Sequence, residues 1–145
     1  MISVKLEEVN EFMNGLFIND IFDRFEVTEA EIKTLFTTKI SGRVNSAWLD
    51  TGEVSEEYIL WKQLKTIVYD LIKGKKTPLL LNICFSYRKE NKDRAIVRIQ
   101  FEEKNLRIIT GYSAAGFSMD KSAQMEWDDN FLQFLKKHGF TYQEQ

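Results

Sequence analysis

Apolar residues along this chain follow two periods, and the change from one to the other marks the elements. Near the N-terminus Leu6, Val9, Phe12, Met13 and Leu16 recur at the three- and four-residue spacing of a buried helix stripe, and Gly15 is placed to end that helix. Residues 2–5 are an alternative short strand. From Phe22 to Ile40 the pattern turns to branched and aromatic residues, among them Phe25, Val27, Thr28, Ile32, Phe36 and Ile40. That stretch is about three times a typical strand, so either a hairpin turns near Lys33 and Thr34 or one strand bends at a bulge; the hairpin is preferred.

The second half reads more clearly. Ser55 is a helix N-cap followed by Glu56 and Glu57, and Lys73, Gly74 and Pro78 punctuate the other end, which predicts a central helix over 55–73. Leu60, Trp61, Leu64, Ile67, Val68, Leu71 and Ile72 form its apolar stripe. Leu79, Leu81, Ile83, Phe85 and Tyr87 then alternate, as do Ala95, Val97, Ile99 and Phe101, and Leu106–Tyr112 follows a turn at Lys104 and Asn105. This predicts a three-stranded antiparallel meander. Leu80, Cys84, Ile96 and Ile109 put apolar groups on its second face, which suggests cover by the chain termini or a partner. A final helix fits 123–137, with Trp127, Phe131, Phe134, Leu135 and His138 on one stripe, Asp120 or Ser122 as cap and Gly139 as stop.

These elements predict a single α+β domain over residues 1–145, an antiparallel sheet of N-terminal hairpin plus meander packed by a central and a C-terminal helix. Composition agrees: 43% hydrophobic and 29% charged residues in a chain of 145, with one proline, are the proportions of an ordinary soluble domain. A chain of this size buries roughly 68–70% of its unfolded surface, so the core needs no metal or disulfide. No apolar run approaches the roughly 18 residues of a membrane span. A lone Cys84 cannot form an intrachain disulfide, and Met1–Glu8 lacks the basic start and apolar core of a signal peptide, so a cytoplasmic location is expected.

The same counts limit the chemistry. One cysteine and one histidine cannot build the Cys/His sets of structural zinc or the His-rich sets of most catalytic zinc; the 22 carboxylates leave an all-oxygen Mg or Ca site open in principle, but neither a calcium-loop spacing nor a Walker-type glycine loop is present, so no metal and no cofactor are expected. Charge is segregated: residues 1–61 hold 12 acidic and 5 basic side chains, net −7, whereas residues 62–107 hold 12 basic and 5 acidic, net +7. Such halves either steer a charged partner or neutralise each other in the fold, and a pI near 5.5 favours the internal pairing over a nucleic-acid surface.

Each candidate for chemistry carries a plainer reading. His138 is the one side chain titrating near neutrality without help, yet it closes the last helix before Gly139, where it caps carbonyls. Cys84 lies mid-strand, far from a helix N-terminus that would activate it. Glu29 and Glu31 share a strand face, a spacing compatible with paired acid and base but equally with a solvated surface. Gly111–Ser118 is a small-residue loop whose Tyr112, Ser113 and Ser118 hydroxyls could meet a ligand, or a plain connection. Lys73, Lys75, Lys76, Arg88, Lys89, Lys92, Arg94, Arg98 and Arg107 with Phe85, Tyr87 and Phe101 could form a basic aromatic sheet for single-stranded nucleic acid, but those aromatics share the core face.

The runs Glu29-Ala30-Glu31-Ile32, Ile40-Ser41-Gly42-Arg43-Val44-Asn45, Trp61 and Leu71–Leu79 resemble a family of uncharacterised bacterial proteins of similar length. The resemblance implies a small cytoplasmic bacterial protein of unknown function and brings no catalytic residue with it. Two function classes stand. The preferred one is a non-catalytic domain that binds a protein partner or a second copy of itself. The alternative is a small-molecule-binding protein or enzyme with a cleft between the first hairpin and the 111–118 loop, using Glu31, Arg43, Tyr112 and Ser113. Single-stranded nucleic-acid binding ranks third.

Overall fold

The computed structural model describes residues 1–50, 52, 57–116 and 120–145. The alternating stretches become strands: β1 Ser3–Leu6, β2 Glu26–Lys33, β3 Thr37–Ser41, β4 Leu80–Arg88, β5 Arg94–Glu102, β6 Asn105–Ser113 and β7 Tyr142–Glu144. They form one antiparallel sheet in the order β3-β2-β4-β5-β6-β1-β7. The helices are α1 Val9–Phe17, α2 Trp61–Ile72 and α3 Ser122–Lys137. The fold is therefore α+β, with the expected hairpin and meander side by side. None of the described helices is long and apolar enough to cross a membrane.

Register converts the alternation into rows. Ile32, Leu81, Phe101 and Leu106 are neighbours across four strands, and Ala30, Ile83, Ile99, Ile108 and Val4 form the next row. Side chains two apart on a strand share a face, so these rows all point to one side, where they meet Phe12 and Leu16 of α1, Trp61, Leu64 and Val68 of α2, and Phe131 and Leu135 of α3. Val27 and Ala30 are three apart, so simple alternation would put them on opposite faces. A bulge between Val27 and Glu29 absorbs Thr28 as an extra residue, and both end in the core. The Thr28 hydroxyl donates to the Cys84 carbonyl at 3.2 Å. The stretch thus contains both devices, a hairpin turning over 34–36 and a bulged strand.

Four expectations are corrected. Gly15 does not end α1; it lies inside it and is buried, because a Cβ there would stand 2.9 Å from Ile21 and Phe140 side-chain atoms. The central helix begins at Trp61, not at residue 55. The Ser55 cap lies outside the described residues, but Tyr58 and Leu60 are held extended by bridges to Arg43 and Glu26, and Gln63 Oε1 accepts from the Leu60 N–H at the helix start. Ile67 is 56% exposed, because the buried face of α2 narrows to Trp61, Leu64 and Val68. The termini add β1 and β7 to the sheet edge instead of covering its second face.

Burial of this kind makes a direct comparison possible. Leu64→Ala should cost roughly 2–5 kcal/mol, whereas Ile67→Ala on the same helix should stay within about 0.5 kcal/mol. Urea unfolding of both variants checks it, and a Leu64→Ala loss below about 0.5 kcal/mol would show that α2 faces solvent there.

Candidate functional site

On the face of the sheet opposite the helices, register sets a shallow trough. Glu29, Cys84 and Arg98 are neighbours across β2, β4 and β5, and Glu31, Asn82 and Gln100 form the adjacent row. The side chains from β2 and β5 are long and those from β4 are short, so β4 becomes a floor between two walls. The resulting space is 320 Å³, bordered also by Lys39. Glu31 lies 3.8 Å from Lys33. Asn82 Oδ1 is buried without a hydrogen-bond partner. The Glu29/Glu31 pair thus sits on one strand face as spacing predicts, and Cys84 is half-buried beside it.

Arg43 lies at a different place, in a network that fastens the 57–60 segment to the sheet. Arg94 donates to Glu26 at 2.7 Å, to Ser86 at 3.2 Å and to Glu57 at 2.6 Å. Arg43 Nη2 approaches Glu57 at 3.6 Å, and the guanidiniums of Arg43 and Arg94 lie 5.4 and 5.0 Å from the centroid of the Tyr58 ring. Ser113 is the register partner of Arg94 on β6. Arg43 and Arg94 share Glu57 and the Tyr58 ring, while Ser113 is only the strand neighbour of Arg94 and takes no part in the network. Ion pairs from Arg94 and from Lys65 to Asp23 link the acidic N-terminal segment to the basic middle one.

Tyr112 points to the helix-bearing face, because it falls in phase with Leu106, Ile108 and Thr110. Its hydroxyl donates to Asp93, which also accepts from the Ala115 N–H at 2.7 Å. The Tyr112 hydrogen bond, with help from Ala115, holds the Asp93 carboxyl below its ordinary value. Desolvation, then Asp93 itself, pushes the Tyr112 phenol up. A depressed carboxylate contributes stability above its unfolded pKa and loses it as pH falls through the folded one. Tyr112→Phe should accordingly raise the Asp93 pKa in an NMR titration; no displacement would assign the effect to Ala115, Asn91 and Lys89 instead.

The four candidate residues do not form one site: Arg43 contacts Glu57 and Tyr58 beside β3, Ser113 lies on β6 with β2, β4 and β5 between, and Glu31 and Tyr112 stand on opposite faces. β4 and β5 separate the first hairpin from Gly111–Ser113, and residues 117–119, with Ser118, lie outside the described set. His138 is the C-terminal cap of α3, its ring edge-on to Phe134 at 4.6 Å. Phe85 and Phe101 are buried in the core, on the face away from Arg98 and Arg107, while Tyr87 is half-exposed.

Sequence reasoning missed a second concavity. α1 and the C-terminal half of α2 diverge over a groove of 380 Å³ walled by Met13, Phe17, Ile18, Tyr69 and Ile72, with Leu81 and Phe101 beneath. Ile18 is 64% exposed at its mouth. Lys73, Lys75 and Lys76 form the rim, and no carboxylate is among the lining residues. The Lys73-Gly74-Lys75-Lys76 run was the one local signal in the chain; that Ile18 is exposed beside it is a product of the tertiary structure. Among the described residues no three His, Cys, Asp or Glu side chains gather where they could hold a metal ion.

A family model described as a family of unknown function (DUF5721) matches residues 15–100 and 94–143. No curated protein and no solved structure matches the chain.

Proposed function

Because the chain belongs to the DUF5721 family, whose function is unknown, its role has to be read from its own surfaces, and we propose that it is a non-catalytic binding module. Its partner is a protein that docks an acidic amphipathic segment in the groove between α1 and α2. The observation that carries this reading is the composition of the groove: partly exposed apolar side chains, Ile18 most of all, rimmed by Lys75, Lys76 and a Lys73 that pairs with Asp70 at 3.1 Å, with no acidic residue in the lining. An amphipathic helix lays apolar anchors at i, i+3, i+4 and i+7 into such a groove, and carboxylates on its flank meet the rim. Charge complementarity of this kind raises the association rate and orients the partner more than it adds affinity. Met13 in the wall supports adaptable packing, since an unbranched thioether fits irregular surfaces. We place the protein in the cytoplasm, where a free, half-buried Cys84 stays reduced.

The test uses a labelled helical peptide with leucines at the anchor positions and glutamates elsewhere. Saturable binding that weakens with salt is expected, with NMR perturbations confined to α1, the C-terminal half of α2 and residues 73–78. Lys75→Glu combined with Lys76→Glu should weaken it about tenfold, the sum of two exposed charge contacts each reversed in sign. Equal affinity in that variant, closure of the groove by a second copy in sedimentation, or preference for single-stranded RNA over the peptide would each overturn the reading.

A further inference from the structure

We infer that the trough on the open face of the sheet is a binding site for a small zwitterion, a molecule carrying an ammonium and a carboxylate a few bonds apart, such as a free amino acid or a dipeptide. The site is independent of the groove between α1 and α2, since it lies on the other side of the sheet.

The argument starts from the strand spacing. β2 and β5 flank β4, and neighbouring strands are roughly 4.8 Å apart, so the Glu29/Glu31 wall and the Arg98/Gln100 wall stand about 10 Å apart at the backbone. Short Asn82 and Cys84 keep the space between them open at 320 Å³, inside the range of small-ligand sites. The two walls carry opposite charges that the protein leaves unmatched: among the described residues Glu29 and Arg98 form no ion pair, although they occupy the same row. The other wall carboxylate, Glu31, already has Lys33 within 3.8 Å, so the negative end is set mainly by Glu29. The floor supplies a third requirement. Asn82 Oδ1 is a buried acceptor without a donor, and burying an unsatisfied acceptor costs roughly as much as a lost hydrogen bond unless a ligand supplies one.

An ammonium is the counter-ion that Glu29 lacks, and it becomes a donor to Asn82 Oδ1 in the adjacent row once the side chains covering that atom move aside. A carboxylate meets the other wall, because the planar guanidinium of Arg98 presents paired donors that fit its two oxygens. A plain anion would leave Glu29 repelling it and Asn82 unsatisfied. A plain cation would face Arg98. A ligand bearing both charges satisfies wall, floor and wall, and Lys39, the register neighbour of Glu31 on β3, borders the trough as a second cation beside that carboxylate, which leaves Glu29 as the negative end.

The experiment titrates the full chain with glycine, the other proteinogenic amino acids and glycylglycine up to about 10 mM, following the side-chain amide signals of Asn82 and Gln100 by NMR. Acetate, methylammonium, inorganic phosphate and an N-acetylated amino acid amide are the controls. Saturable shifts at Asn82 with zwitterions, and at least tenfold weaker binding of every control, are expected; the dipeptide arm against the single amino acids reports the length. Arg98→Gln and Glu29→Gln, both at exposed positions where folding is kept, should each lower zwitterion affinity about tenfold. Absence of any shift at Asn82, binding of acetate or phosphate as tight as that of the zwitterions, or affinity unchanged in both variants would overturn the proposal.

Discussion

Gly42→Ala is expected to destabilise the protein by about 3 kcal/mol or more. A Cβ at this position would stand 1.7 Å from the Val27 carbonyl oxygen and 2.7 Å from its carbon. Both are backbone atoms and neither can step aside. The bulge in β2 lets its start diverge from the end of β3, and residues 57–60 fill the gap. Val27 N–H donates to the Ile59 carbonyl at 2.8 Å, Ile59 N–H to the Gly42 carbonyl at 2.8 Å, and Gly42 N–H to the Thr28 carbonyl at 2.9 Å. Making room for a methyl group means opening this three-way ladder, and glycine is required by the close approach alone. Gly116→Ala is the control, since among the described residues nothing lies within 4 Å of the added carbon, and it should change stability by no more than about 0.5 kcal/mol. Denaturant unfolding of both decides it. A loss below about 1 kcal/mol for Gly42→Ala would mean that the 57–60 segment is not wedged between β2 and β3.

Trp61→Ala should cost a further large amount, about 3–5 kcal/mol, because the side chain is fully buried at the start of α2 and lies edge-on to Phe85 at 5.3 Å. Part of the loss is a hydrogen bond. The indole N–H donates at 2.7 Å to the carbonyl of Leu16, one of the last carbonyls of α1, which have no partner inside their own helix. Leu16 is itself buried, so water does not replace the indole. Trp61→Phe keeps an aromatic ring but strands that carbonyl, and should cost roughly 1–3 kcal/mol. If Trp61→Phe unfolds at the same denaturant concentration as the parent, the carbonyl has found another donor and the indole is not what ties α2 to α1.

The elements legible in the chain are those whose signal is local. β4, β5 and β6 were readable because alternate residues from Leu79 to Tyr112 are apolar and short polar turns separate them. α3 was readable from Trp127, Phe131, Phe134 and Leu135. β1 was ambiguous because four residues carry little pattern, and β7 was missed because Tyr142–Glu144 carries almost none. Of the candidate site, Glu31 and its neighbour Glu29 were legible as a pair on one strand face. Their facing partner Arg98 was not, because the pairing runs through β4 and over a sequence distance that leaves no local trace.

The two periods, 3.6 for helices and 2 for strands, are written in consecutive residues, so the amino-acid sequence by itself determined the class of fold, the meander, the hairpin and which faces are apolar. Only tertiary structure decided how those faces meet. Ser3 pairs with Ile109 and Val4 with Glu144, contacts between distant parts of the chain that depend on which sheet edge remains free. Residues 57–60 carry helix-starting signals nearby, yet they are extended because the bulged β2 leaves backbone donors and acceptors that they alone can satisfy. The trough likewise exists only through register: slipping β4 by one residue would turn Asn82 and Cys84 into the core and Ile83 out onto the open face.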